Sequence, residues 1–344
     1  MHRWLNRLLL LFMASVLALL LAELLVRVRH DDWRLLDRLM PVLADEQSLH
    51  IPSPDPRRLI TLKPHARFEG HAAYGPYTVS INGLGFRGPE PRIPKPSGTF
   101  RIVAIGGSNV YGAGINDDQT WPAQLEKALN QQQHGRFEVL NLGVAGYNPL
   151  QMIATAEEAI ATLEPDLILY CFSNHGPRFA LPGLTPLESA FTADPSLWRE
   201  QLPPHYFDPK QVSGVALRWF LLQHSALFRF WVVQRLAQRP GPRVMTPEAY
   251  EPQYIEQTLS FLDEYRKRVP FFIFLCPGIE PSRFYPYHAS LGLPYFLLSS
   301  TNLPEVYQRI HAPPYVYTWY AEQLVVQLKH WKLLPADALV ASPG

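Results

Sequence analysis

Four short apolar runs constrain this chain more than any other feature: Phe100–Ile105 (FRIVAI), Phe137–Leu142 (FEVLNL), Asp166–Phe172 (DLILYCF) and Pro270–Cys276 (PFFIFLC). Runs of this length, rich in β-branched and aromatic residues and bounded by turn residues, read as strands buried on both faces. Helical patterns separate them. One is expected from about Thr120, with Trp121, Leu125 and Leu129 on one face; another covers Met152–Leu163 and is closed by Pro165; a third covers Tyr250–Arg268. Tyr295–Ser299 reads as a fifth strand, and Tyr317, Tyr320, Leu324, Leu328 and Trp331 mark a last helix. Strands and helices alternating in this way imply a doubly wound α/β domain around a parallel sheet.

The segments around this domain differ from it. Leu8–Val26 is almost wholly apolar, and nineteen helical residues span about 28 Å, close to the hydrocarbon thickness of a bilayer. A cleaved signal peptide would want a shorter core and an A-x-A-like site; Ala18 and Ala22 have the wrong spacing, so an uncleaved anchor is expected. Glu23 lies near the end of the run, where a carboxylate reaches the interface at modest cost. Arg3 and Arg7 precede the run, while Arg27, Arg29, Arg34 and Arg38 follow it, a count that by itself favours a cytoplasmic C-terminal domain. Residues 31–75 are polar, proline-dotted and without a sustained period; Tyr77–Ile81 alternates as a strand and runs into an Asn82-Gly83 turn. The organisation expected is an anchor over 1–30, a stalk and wrapping segment over 31–98, the α/β domain over 99–335 with an insertion at 176–250, and a tail over 336–344. The insertion begins proline-rich and continues from Val215 as an apolar, aromatic helix, read as core or lid packing over the sheet edge rather than a cofactor box.

Net charge is +1, with no block of basic residues, so a nucleic-acid partner has no electrostatic footprint. The two cysteines, Cys171 and Cys276, make no zinc pattern; buried thiols are the expected state, with a single disulfide as the alternative in an oxidising compartment. No histidine pair has metal-ligand spacing on a helix face, so no metal or cofactor is expected. His224, on an apolar helix, reads as a core histidine, and His205 and His288 as loop residues without a role.

Chemistry concentrates where strands end. Ile105-Gly106-Gly107-Ser108-Asn109 closes the first strand, and open α/β sheets bind ligands at the carboxyl ends of their strands. A serine there is a nucleophile or merely a turn residue, and Gly-Ser turns are common. Three further elements fall at comparable points: Asn141-Leu142-Gly143-Val144-Ala145-Gly146-Tyr147-Asn148 after the second strand, Phe172-Ser173-Asn174-His175 after the third, and His311 before the last helix. The glycines from Gly106 to Gly114 lack the G-x-G-x-x-G spacing of a dinucleotide fold and any G-K-[S/T].

Together these blocks resemble the SGNH (GDSL-like) hydrolase superfamily over roughly Tyr77–Leu328, and the leader Asn82-Gly83-Leu84-Gly85-Phe86-Arg87-Gly88 is similar to membrane-anchored bacterial members. The resemblance implies a flavodoxin-like three-layer fold. It implies Ser108 as nucleophile, His311 as its base, and an oxyanion hole from the Ser108 and Gly146 backbone N–H groups and the Asn174 amide, with Gly107, Asn109 and His175 supporting and Ala321 at the family's usual position in the last helix. It also implies an extracytoplasmic domain, against the arginine count. Gly107 stands where the family commonly has aspartate, and His175 where an aspartate follows the asparagine. The larger departure is Gln308, at the position of the triad acid, with Glu305 the nearest acid in sequence; losing that acid costs about 10⁴ in rate in a well-studied triad. Three functions follow: an esterase or deacetylase acting on an O-acylated, acetylated envelope or carbohydrate substrate; a polysaccharide O-acetyltransferase working beside a membrane-bound O-acyltransferase; and a non-catalytic glycan-binding scaffold.

Overall fold

The computed structural model describes residues 2–30, 42–43, 49–133 except 56 and 59, 136–172, 217, 220–221, 224–237, 247–275, 291–297 and 311–339. In chain order it holds helix α1 (His2–His30), strands β1 (Val42–Leu43), β2 (His50–Pro52), β3 (Ile60–Leu62), β4 (Arg67–Ala72), β5 (Gly75–Ser80) and β6 (Phe100–Ile105), and helices α2 (Ser108–Tyr111) and α3 (Trp121–Gln133). Strand β7 (Phe137–Asn141), α4 (Pro149–Thr162), β8 (Leu167–Phe172), α5 (Ala226–Ala237), α6 (Pro247–Tyr265), β9 (Phe271–Leu275), β10 (Tyr295–Leu297), α7 (Pro314–His330) and α8 (Ala336–Leu339) follow. The chain divides into two compact units, Met1–Met40 with Phe179–Val244, and Pro41–Arg178 with Met245–Gly344.

The larger unit is built on a five-stranded sheet in the order β10-β9-β8-β6-β7, with every pairing parallel. Counted along the chain this is the 2-1-3-4-5 order of flavodoxin-like folds, the class the sequence led us to expect. The pleat sends alternate residues to opposite faces. In β6, Val103 and Ile105 join a cluster with Met152, Ala156, Phe261 and Leu262, while Ile102 and Ala104 join one with Trp121, Leu125, Tyr320 and Leu324. Helices α4 and α6 therefore cover one face, and α3 and α7 the other. The stripe Trp121, Leu125 and Leu129 is buried as its spacing predicts, and each such side chain contributes about 1.5–3 kcal/mol.

Strand β7 forms one edge of the sheet, and side chains close it. The Asn130 amide accepts from Phe137 N–H at 2.9 Å and donates to Phe137 C=O at 2.8 Å, as a neighbouring strand would. Glu126 accepts from Val139 N–H at 2.7 Å. Arg87 then pairs antiparallel with Asn141. An exposed edge invites another strand, and this one offers few open groups.

The wrapping segment is more structured than its sequence suggests. Leu49, Ile60, Leu62, Phe68, Tyr77, Val79 and Phe86 all belong to the α4/α6-side core. Strand β4, paired antiparallel with β5, went unread because only Phe68 of its six residues is buried, which leaves no visible alternation. The expected Asn82-Gly83 turn is present: Asn82 Oδ1 accepts from Leu84 and Phe86 N–H, both at 3.1 Å, and Gly85 takes φ +79°. At the other end, part of the expected tail forms α8, with Ala338 buried. Cys171, read as a buried thiol, is buried but disulfide-bonded. The other cysteine, Cys276, lies outside the described residues.

The smaller unit pairs α1 with α5. Arg3–Arg29 is long and apolar enough to cross a membrane, with a mean hydropathy of 2.7 in its most apolar window. A soluble core helix would be covered; here Trp4 to Leu21 are exposed, and among the described side chains of α1 only Ala22, Glu23, Val26 and Arg27 are even partly buried. His224, expected as a core histidine, is half-buried, its ring 4.6 Å from that of Phe220.

Candidate active site

Ser108 owes its position to the strand–turn–helix at the end of β6. Gly106 is needed for close approach: a Cβ there would lie 2.3 Å from Val110 Cγ2 and about 3 Å from Cys171 on β8. Ser108 then opens α2, which lasts a single turn and is ended by Gly112 at φ +82°. The hydroxyl thus stands at the carboxyl rim of the sheet, 9% exposed.

His311 arrives from the far end of the chain. Its Nε2 lies 3.0 Å from Ser108 Oγ, across 203 residues. Its position follows from α7, whose Tyr317, Tyr320, Leu324 and Leu328 are buried against the α3 face of the sheet. Pro313 and Pro314 begin that helix, and Ala312 beside His311 is buried. Two proline rings fix φ over this short tether and hold the imidazole near one place. A serine hydroxyl donating to Nε2 requires the proton on Nδ1.

The third element is the loop after β7. Asn141 Nδ2 donates to Val110 C=O at 2.8 Å while its Oδ1 accepts from Gly143 N–H at 3.0 Å, so one side chain ties this loop to the serine helix. Val144 N–H donates to Gly106 C=O at 3.1 Å. Farther along, Tyr147 OH donates to Ile60 C=O at 2.6 Å, and burial pushes that phenol's pKa up, keeping it a donor. Asn148 caps α4, accepting from Leu150 and Gln151 N–H while Gln151 Oε1 accepts from Asn148 N–H. Gly146 sits between these ties at φ +85°, and a Cβ there would meet nothing within 4 Å. The protein requires glycine here for its backbone conformation; the space beside it is open.

Sequence reasoning missed Arg87. It was noted only as part of the leader motif, yet its side chain is almost wholly buried and all five N–H donors have acceptors. Nε donates to Asp117 at 2.7 Å, Nη1 to the Tyr111 and Gly112 carbonyls at 3.0 and 2.6 Å, and Nη2 to the Thr78 and Ile115 carbonyls at 3.1 and 2.5 Å. Its guanidinium also lies 5.1 Å from the centre of the Tyr111 ring. The cation therefore clamps the C-terminal end of the helix that Ser108 begins. An arginine between Phe86 and Gly88, in the leader ahead of the first sheet strand, is the one signal that could have marked it.

Gly107 is buried at the N-cap of α2, and Asn109 Oδ1 is buried without a partner among the described residues. Asn174, His175, Glu305 and Gln308 lie outside the described residues, as do His205 and His288. Among the described residues no cluster of His, Cys, Asp and Glu could hold a metal ion. A cavity of about 290 Å³ between the leader, α3 and β7 is lined by Leu84, Arg87, Asp117, Glu126 and Leu140, among others; Ser108, Gly146 and His311 do not line it.

No protein-family model matches the chain, and no curated protein matches it. Solved structures to which it is similar include a lipolytic protein of the G-D-S-L family from Desulfitobacterium hafniense, at 13% identity and TM-score 0.38, covering 67% of this chain and 100% of that one. They also include the psychrotrophic esterase EstA from Pseudoalteromonas, at 9% identity and TM-score 0.40, covering 68% and 98%. The SGNH-hydrolase family esterase AlinE4 matches at 16% identity and TM-score 0.32, covering 69% and 98%.

Proposed function

We propose that this chain is a membrane-anchored ester hydrolase using Ser108 as nucleophile and His311 as general base. The observation that carries the reading is the 3.0 Å separation of Ser108 Oγ and His311 Nε2 at the carboxyl rim of a parallel sheet. His311 takes the Ser108 proton as Oγ attacks the ester carbonyl. The tetrahedral oxyanion is met by the Ser108 and Gly146 N–H groups and the Asn174 amide, each such donor contributing roughly 3–4 kcal/mol in comparable sites. The alcohol leaves with the proton from His311. Water, deprotonated by the same imidazole, then releases the acid from the acyl-serine. Gln308 in place of an acid makes this chemistry that of a Ser–His dyad unless another group orients the ring.

The substrate class we favour is an O-acylated, acetylated glycan or envelope component. The α1 anchor supports it. So does the disulfide at Cys171, which suits an oxidising compartment and therefore an extracytoplasmic domain, against the arginine count. A second reading, transfer of the acyl group to a sugar hydroxyl beside a membrane-bound O-acyltransferase, draws support from the exposure of His311, which leaves room for an acceptor larger than water. A non-catalytic glycan-binding scaffold has no use for a hydroxyl and an imidazole held at hydrogen-bond distance.

Full-length protein in detergent is expected to hydrolyse p-nitrophenyl acetate and to take a fluorophosphonate label. Ser108→Ala should remove both, with hydrolysis falling by up to about 10⁶-fold, as when the serine of a comparable enzyme is removed. Equal turnover by the variant would exclude Ser108 as nucleophile. Acetyl transfer to an oligosaccharide faster than hydrolysis would select the second reading.

A further inference from the structure

Helix α5 begins on the α1 helix. Ser225 interrupts the preceding helical residues, and its N–H donates to Leu221 C=O at 2.8 Å. At that break the Glu23 carboxylate accepts from Ser225 Oγ at 2.8 Å, Ala226 N–H at 2.8 Å and Leu227 N–H at 2.9 Å. Ser225 Oγ itself accepts from Phe228 N–H at 3.0 Å. The first three N–H groups of α5, normally orphaned at a helix start, therefore all have acceptors, two of them from a residue some 200 positions away. Arg27 completes the joint: it pairs with Glu23 at 2.6 Å and donates to His224 C=O at 2.9 Å.

The level of this joint decides where α5 can lie. Glu23 is three residues before the end of the apolar run Leu8–Val26, about 4.5 Å along a helix axis. Helix α5 does not run back along the span, since Trp4 to Leu21 remain exposed. At 12 residues, about 18 Å, it is too short to cross a bilayer. Yet α5 and the residues leading into it do not make an ordinary water-facing surface: Leu217 and Phe220, ahead of the Ser225 break, are 64% and 57% exposed, and Trp231, within α5, is 51% exposed. Between Val215 and Ala237 the sequence has Arg218, Arg229 and Arg235, no acidic residue, and the aromatics Trp219, Phe220, Phe228, Phe230 and Trp231. Exposed aromatics with arginines and no acids are the signature of a helix lying in the headgroup layer.

We infer that α5 and the residues leading into it form an interfacial helix, docked to the anchor through Glu23 and Arg27 and lying on an anionic bilayer surface. The inference rests on reading α1 as a membrane span. Its occupant is lipid because the exposed apolar surface is continuous with that of the span: Leu24, Leu25 and Val28, 51%, 72% and 64% exposed, flank the joint. The arginines would meet lipid phosphates and the aromatic rings the acyl boundary.

The test uses full-length protein in vesicles of phosphatidylcholine and phosphatidylglycerol, with a spin label at one introduced cysteine at a time; the disulfide-bonded Cys171 takes no label. Labels at Leu17→Cys, Trp231→Cys and Tyr74→Cys report the span, α5 and water. Power saturation should show the labels at 17 and 231 shielded from a water-soluble nickel chelate and open to oxygen, and the label at 74 the reverse. A label at 231 as open to nickel as that at 74, with 17 still immersed, overturns the inference and leaves the anchor standing. A label at 17 open to nickel overturns both. Glu23→Ala should raise nickel access at 231 without changing 17, and Glu23→Gln, which keeps an acceptor oxygen, should largely restore shielding. An unchanged 231 in Glu23→Ala would overturn the docking.

Discussion

Arg87 in the sheet unit and Glu23 in the smaller unit solve the same problem with opposite signs. Arg87 places a cation against the C-terminal carbonyls of α2, and Glu23 places a carboxylate on the first N–H groups of α5. Both follow the helix dipole, whose N-terminal end favours negative charge and whose C-terminal end favours positive charge. They differ in enclosure. Arg87 is buried, 2% exposed, and serves five acceptors from β5, α2, the loop after it and Asp117, so it holds the helix that Ser108 begins. Glu23 is half-exposed and joins two helices at one point. A many-partnered buried charge locks geometry; a partly exposed one attaches an element that keeps some freedom.

The sharpest way to break this contrast is at Arg87. Arg87→Met removes the cation beside Asp117, leaving that carboxylate only the Ser80 N–H, and takes a donor from four carbonyls; it should cost about 3–5 kcal/mol in denaturant unfolding. Arg87→Lys should restore little of it, because a single ammonium cannot serve five acceptors in a plane. Full rescue by lysine would mean that charge alone matters, and the distinction from Glu23 would fall.

Smaller effects sharpen it. Gly146→Ala should cost about 1–2 kcal/mol through its backbone alone, since φ is +85° and the space is open. Esterase activity should fall further than stability, because relief of the strain turns the N–H away. Glu23→Ala should cost on the order of 1 kcal/mol, the usual loss of a helix cap. Amide exchange is expected to quicken in Ala226–Phe228 while β6 stays protected; faster exchange in both would contradict a local joint.

The mildest effect concerns Glu126. Burial raises its pKa, against the opposing hydrogen bond from Val139 N–H. The folded state then holds the proton more tightly than the unfolded one. Its contribution to stability is greatest below the unfolded value, near 4.5, and is lost as pH rises through the higher folded value. Glu126→Gln should flatten this slope, matching the parent at low pH and exceeding it near neutrality, as followed by unfolding midpoints between pH 4 and 7.

Much of this was legible in the chain. The runs FRIVAI, FEVLNL and DLILYCF fell within a residue of β6, β7 and β8 because burial on both faces leaves a continuous apolar run. Helix α4 began at Pro149 rather than Met152, since its start is set by the Asn148 cap rather than by apolar spacing. Strand β4 escaped notice because one buried phenylalanine makes no period. At the site, Ser108 was visible from Gly106-Gly107 at a strand end, whereas Arg87 was not, because its acceptors are mostly backbone carbonyls, which every residue has.

By itself, then, the sequence determined the alternation of strands and helices, the apolar span at the N-terminus and a serine at the end of the first sheet strand. Those follow from local periodicity and from glycine's freedom to turn. Tertiary structure decided what crosses long stretches of chain: the imidazole of His311 against Ser108, the disulfide at Cys171, the clamp on α2 and the seat of α5 on Glu23. Such contacts join groups whose sequence separation carries no period, and only the packing of the sheet and its helices brings them within bonding distance.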